Sequence, residues 1–236
     1  ESTGVTLIDD LTINGNLNVG DRTVTFDTLG FTKLGPRTTI DGGTLIAGGL
    51  ALGPGDVLIG NGTVDARIAA DVGSTIDADG DLTLGDVNAF DGFFSDGVLQ
   101  TNDHTVTILD RDLGVLGALT EMGNAIGSGV LTSQNGLLLE NGKTLAGYGV
   151  INGDFENQGH VVGAGPNSSD ELVFTGNVSG TGRYDGNVRF TGAFGAGEGP
   201  AEAEFGGDAT FDATSTLQIQ IGGPAARSEE HTRELQ

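Results

Sequence analysis

The sequence predicts an all-β fold, a right-handed parallel β-helix (a β-solenoid) with irregular loops. Three observations carry it. The first is a strand–corner–strand grammar that occurs three times: LIGNGTVDARI at 58–68, LAGYGVINGDF at 145–155 and VSGTGRYDGNV at 178–188. In 145–155 one parity holds Leu145, Gly147, Gly149, Ile151, Gly153 and Phe155, all apolar or small. The opposite parity is mostly polar: Asn61, Thr63, Asp65 and Arg67 in the first copy, Ser179, Thr181, Arg183 and Asp185 in the third. Period two with one apolar face is strand grammar. Paired glycines mark a corner where φ turns positive or no side chain fits. The second observation is spacing. GLALGPGDVLIGNG at 49–62 aligns without gaps on GLLLENGKTLAGYG at 136–149, 87 positions on, which suits four turns of roughly 20–22 residues. The third copy follows the second by only 33 positions, and the irregularity is assigned to a loop around 163–170. The third observation is composition: Gly is 43 of 236 residues, far above the usual share of about 7%, with no collagen period. Handedness rests on base rates for parallel crossovers and on the resemblance described below.

In chain order, 4–26 gives short strands VTLI, LTI, NLNV and TVTF between Asp-Asp, Asn-Gly and Gly-Asp turns. Residues 27–39 break the pattern and read as a loop with Phe31, Lys33 and Pro36. The most regular stretch is 40–84. Residues 88–96 (NAFDGFFSD) form an aromatic irregular segment, 97–109 returns to strand, and 112–128 reads as an extended loop or one helical turn. Regular grammar resumes at 129–162, the third copy follows, and 204–223 closes with Leu217, Ile219 and Ile221 facing one way. Residues 1–223 are therefore read as one β-helix domain, a fragment of a longer chain that begins in mid-pattern. Residues 224–236 are read as a non-native tail. The last ten, RSEEHTRELQ, resemble the conceptual translation of a sequencing-library adapter, RSEEHTSELQ, with only Arg233 departing.

Net charge is −23. The cations are scattered, so no patch exists to hold nucleic acid. No apolar run of about 18 residues occurs, so no direct membrane insertion is expected of this stretch. There is no Cys, which excludes a disulfide framework, a Cys-based zinc site and a thiol nucleophile.

The segments GYGVINGDFENQGHVVGAG and FGAGEGPAEAEFGGDATFDATSTLQIQIGG resemble rungs of bacterial exported, Gly-rich β-helix surface proteins, both autotransporter-passenger-like and filamentous-adhesin-like. Gly147–Gly153, Asn157–Gly159 and Gly206–Gly223 follow the order of that rung grammar. The corner departs from it, with Gly195-Ala196-Gly197 and Gly199-Pro200-Ala201 in place of an SPG-type turn. The resemblance covers about 136–223 well. It implies a secreted or cell-surface structural or adhesin segment, with surface polysaccharide or another cell-surface protein as partner.

The alternative is a polysaccharide lyase or hydrolase on a β-helix. Its candidate catalytic residues are Asp103, His104, Asp110 and Asp112, the densest titratable cluster. Against this, NDHTVTILDRD alternates, and polar turn residues explain it. His160, in Gly159-His160-Val161, lacks the following Gly of the polygalacturonase-like element. Asp77, Asp79, Asp81, Asp86 and Asp91 invite a calcium reading. They fit neither EF-hand spacing nor the nonapeptide calcium roll, so acidic turns are the default and no cofactor is required. Phe90, Phe93 and Phe94 make a sugar-stacking platform if exposed and core plugs if buried. The pairs Thr23/Thr25 and Thr105/Thr107 are ascribed to strand propensity.

Overall fold

The structure, a computed structural model, describes residues 11–28, 30–197 and 202–219. The expected strand at 5–8, the 199–201 corner, Ile221 and the tail lie outside these residues. Within them, 24 strands pair in parallel and wind into a β-solenoid. Each turn contributes a strand to three faces.

On the first face one inward file runs Leu17, Thr38, Leu58, Ile76, Leu99, Thr120, Leu145, Val161, Tyr184, Phe205. These ten rungs span 188 residues in nine steps, about 21 residues per turn, as solenoid repeats require. On the second face Val24, Leu45, Val64, Leu84 and Ile108 stack. The neighbouring file there runs Val106, Leu131, Ile151, Phe174, Phe190, Phe211. The third face stacks Leu50, Ile68 and Phe93, then Leu137, Phe155, Val178, Phe194 and Leu217. The strand parity predicted the interior: Leu58, Val64, Ile68, Leu145, Ile151, Phe155, Val178 and Val188 are all at most 2% exposed.

The 87-residue spacing is four turns, through Leu58, Ile76, Leu99, Thr120 and Leu145. The third copy is not in phase with the other two. Its Val178 lies on the third face and its Tyr184 on the first, so it starts one face earlier in the winding. The loop remains, between Gly163 and Leu172, largely exposed. No helix occurs among the described residues, and 112–128 holds strands Gly114–Leu116 and Leu119–Met122. Runs this short display no period. Likewise Thr32–Lys33 and Phe93–Ser95 are strands inside segments expected to be irregular.

Gly147 and Gly149 turn a corner at φ 120° and 136°. A Cβ on either would lie 1.9 Å from the carbonyl oxygen of Met122 or Gly129 in the rung below. Both the dihedral and the space demand glycine. Gly182, the matching residue of the third copy, is different: its absent side chain makes room for the buried side chain of Asn157.

Towards the C-terminal rungs the aliphatic files become aromatic. Tyr184 stacks on Phe205 with centroids 5.2 Å apart, Phe174 on Phe190 at 5.3 Å, and Phe190 on Phe211 at 5.1 Å. Parallel rungs lie about 4.8 Å apart, so like rings in one file stack face to face. Outside the second face, Thr23, Thr44, Thr63, Thr83, Thr107 and Thr132 form a single in-register file. That array exceeds the two pairs seen in the sequence.

Two inward threonines, Thr38 and Thr120, are fully buried with hydroxyls that lack a hydrogen-bond partner. A buried hydroxyl without a partner is costly. Thr120→Val, which keeps the shape, is expected to stabilise by about 1 kcal/mol in urea unfolding; a loss of stability would contradict the placement. Gly149→Ala is expected to cost about 3 kcal/mol or more through strain and overlap. At Gly142 φ is also positive (79°), but a Cβ would meet nothing within 4 Å. Gly142→Ala should therefore cost only about 1 kcal/mol. Equal melting temperatures for the two variants would refute the corner geometry.

Candidate functional site

The four residues of the catalytic reading occupy two successive corners. Asp103 and His104 precede the strand Thr105–Leu109, and Asp110 and Asp112 follow it. A strand of 5 residues separates the pairs, about 16 Å. At the first corner, Asn124 Nδ2 donates to Asp103 Oδ1 at 2.8 Å, while His104 Nε2 stands 3.6 Å from the same oxygen. The Asn124 bond is the main cause holding the Asp103 carboxyl below its usual range.

At the second corner Asp110 turns inward and is 2% exposed. Its Oδ2 accepts from the backbone N–H of Phe93 at 2.8 Å and its Oδ1 from that of Asp112 at 2.9 Å. Its own carbonyl accepts from Asn135 Nδ2 at 2.7 Å. Asp110 thus ties three rungs together, the part a buried carboxylate plays when it satisfies backbone donors a corner leaves open. Asp112 is exposed.

The five calcium candidates are divided in the same way. Asp77, Asp79 and Asp81 belong to the strand Thr75–Gly85, whereas Asp86 and Asp91 lie beyond its end. Asp77 accepts from Asn102 Nδ2 at 2.8 Å and Asp81 from the backbone N–H of Thr105 at 2.9 Å. Asp86 accepts from the N–H of Asn88 at 2.8 Å, and Asp91 takes a turn conformation at φ 53°. No cluster of three or more His, Cys, Asp or Glu fit to hold a metal occurs among the described residues. These five do not converge as the six to eight oxygens of a calcium cage must.

The three phenylalanines also part company. Phe93 is fully buried, Phe94 is half-buried on the outer side of the same strand, and Phe90 is 59% exposed. The Arg111 guanidinium lies 4.2 Å from the Phe90 ring centroid. Adjacent strand residues point to opposite faces, so the three rings share no plane for a sugar.

The constellation that does assemble across rungs was not singled out from the sequence. His160, Arg183 and Glu204 are successive in register on the outer side of the first face. Asp185 Oδ2 bonds His160 Nε2 at 2.7 Å and accepts from Arg183 Nε at 2.8 Å, and Arg183 also pairs with Glu204. Arg183, and then His160, hold the Asp185 carboxyl below its usual range. One face along, Arg189 grips Asp212 through two bonds of 2.8 and 3.0 Å and reaches Glu171 at 3.4 Å; Asp212 is held low by the same guanidinium. The sequence hid these groups because consecutive steps here are 16, 23 and 21 residues, and no fixed period aligns them.

No family model, curated protein or solved structure matches the chain.

Asp185 and Asp212 have depressed folded-state values. The stability they confer is therefore present above the unfolded carboxylate value of about 3.9 and is lost as pH falls through their lowered values. Acid titration followed by circular dichroism is expected to show the loss beginning below about pH 4. An Asp185→Asn, Asp212→Asn double variant should have a flatter acid limb. An unchanged limb would remove these pairs from the account.

Proposed function

We propose that this stretch is a non-enzymatic structural or adhesin β-helix segment of a secreted or cell-surface protein, working through its length and lateral surface. The observation that carries the reading is the use made of the candidate carboxylates: Asp110 fastens backbone donors of two rungs, and Asp77 and Asp81 accept from the rung above. Groups committed in this way hold a rod together. Nine steps at about 4.8 Å give a body of about 43 Å along the axis. The acidic charge keeps such a rod soluble and guards its strand edges. Surface polysaccharide or another cell-surface protein is the partner class this reading implies.

One observation favours the lyase or hydrolase alternative. His160, Asp185, Arg183 and Glu204 meet from three rungs, as a site assembled along a solenoid would. Each of them is already engaged by a neighbour, Asp185 with both His160 and Arg183 and Arg183 with Glu204, which supports a lateral staple.

Purified protein should be screened against pectin, alginate and neutral glucans, with and without Ca²⁺. The expected result is no turnover, and none is expected from His160→Ala or His104→Ala. Reproducible turnover in the native chain, abolished by either substitution, would overturn the structural reading.

A further inference from the structure

The outer side of the third face changes character near its C-terminal end. One in-register file there runs Glu156, Ser179, Gly195, Gln218. Long side chains flank a short one and an absent one, so a trench two rungs wide opens between the Glu156 rung and the Gln218 rung. Glu156 and Gln218 are three steps apart, about 14 Å. Buried Val178 and Phe194 point inward beneath it, which leaves backbone and small side chains as its floor. The trench is an open hollow of about 670 Å³ and continues past Gly180 into a second open hollow of about 470 Å³ at the adjoining corner, lined by Asn141, Gln158 and Thr181. Each volume falls in the range of small-molecule sites.

The lining chemistry is selective. Its polar side chains are mostly carboxamides and hydroxyls, set among Gly and apolar residues, and each can donate and accept, as a sugar hydroxyl also does. Among the described residues Glu156 contributes the one carboxylate, held in place by Gln158 Nε2 at 2.6 Å. No cation among the described residues lines either hollow, and the chain carries −23. Anionic sugars are disfavoured by both facts. The trench is open to solvent and runs on into the second hollow, a form that suits an extended ligand.

We propose that this trench binds an extended, uncharged oligosaccharide, with Glu156, Gln158 and Gln218 as its polar walls. The inference deepens the adhesin side of the proposed function by naming a ligand class. The inference rests on that side of the reading, whereas the rod and the absence of turnover expected of it do not depend on the inference.

Gly195 provides the test. Its φ lies outside the left-handed region, and a Cβ there would meet only the flexible Gln218 side chain, at 3.3 Å. Gly195→Leu therefore fills the trench without straining the backbone. Cellohexaose and laminarihexaose serve as neutral probes and tri-galacturonate as the anionic comparator, titrated into ¹⁵N-labelled protein. The expected result is saturable amide shifts around Ser179, Gly195 and Gln218 with at least one neutral probe and not with tri-galacturonate. Gly195→Leu should weaken that binding ten-fold or more. Glu156→Ala with Gln158→Ala, which removes wall groups and adds no bulk, should weaken it also and stands in should Gly195→Leu not fold. Absence of shifts with both neutral probes, preference for tri-galacturonate, or binding indifferent to these variants would overturn the proposal. Turnover in the screen above would sink the non-enzymatic reading and leave this one standing.

Discussion

The contact of one rung's backbone with the next is the constraint on which the rest of the structure depends. At the corners this contact is so close that Gly60 lies where a Cβ would fall 1.8 Å from the Ile40 carbonyl, and Gly147 and Gly149 repeat the arrangement four turns later. Only a chain without a side chain at that point can turn sharply and keep its hydrogen bonds to the neighbouring rung. Once those corners are set, register follows, and register fixes which side chains meet. Apolar residues at matching positions become continuous columns. Because parallel rungs stack like on like, aromatic residues meet aromatic residues, as Phe174, Phe190 and Phe211 do.

The same stacking organises charge. A solenoid's outer side is a lattice whose vertical neighbours are a whole turn apart in sequence, so ion pairs form between residues more than 15 positions apart. Arg183 meets Glu204, Arg189 meets Asp212, and Lys143 meets Asp96 two rungs below. Each pair is partly exposed and contributes little alone. Because each pair joins different rungs, the pairs act as lateral ties, and the buried carboxylate of Asp110 does the same work with backbone donors at a corner. The trench on the third face arises from the same rule in reverse: two small residues in one file leave two rungs without an outer wall.

How much of this was legible in the sequence depended on the range of the signal. Strand parity and paired glycines are local, so the fold class, the four-turn repeat and the inward residues from Leu58 to Val188 followed directly. Short strands without alternation around them, such as Gly114–Leu116 and Thr32–Lys33, show no period in the sequence. The phase of the third motif copy was missed because turns of 16 to 25 residues break any fixed period. Cross-rung groups were the least legible. Asp103, His104, Asp110 and Asp112 are close in sequence and split between two corners, whereas His160, Asp185 and Glu204 are far apart in sequence and adjacent in space. In a solenoid, proximity along the chain is a poor guide to a site and register is a good one.

The in-register stack is open to direct measurement because the chain has no Cys, so introduced cysteines are the sole labelling sites. Thr44 and Thr132 are outward, half-buried and four steps apart in one file. Spin labels on Thr44→Cys and Thr132→Cys, measured by double electron–electron resonance, should give a narrow distribution centred near the four-rung separation of about 19 Å. A broad distribution, or one centred beyond about 30 Å, would contradict the stacked-rung account.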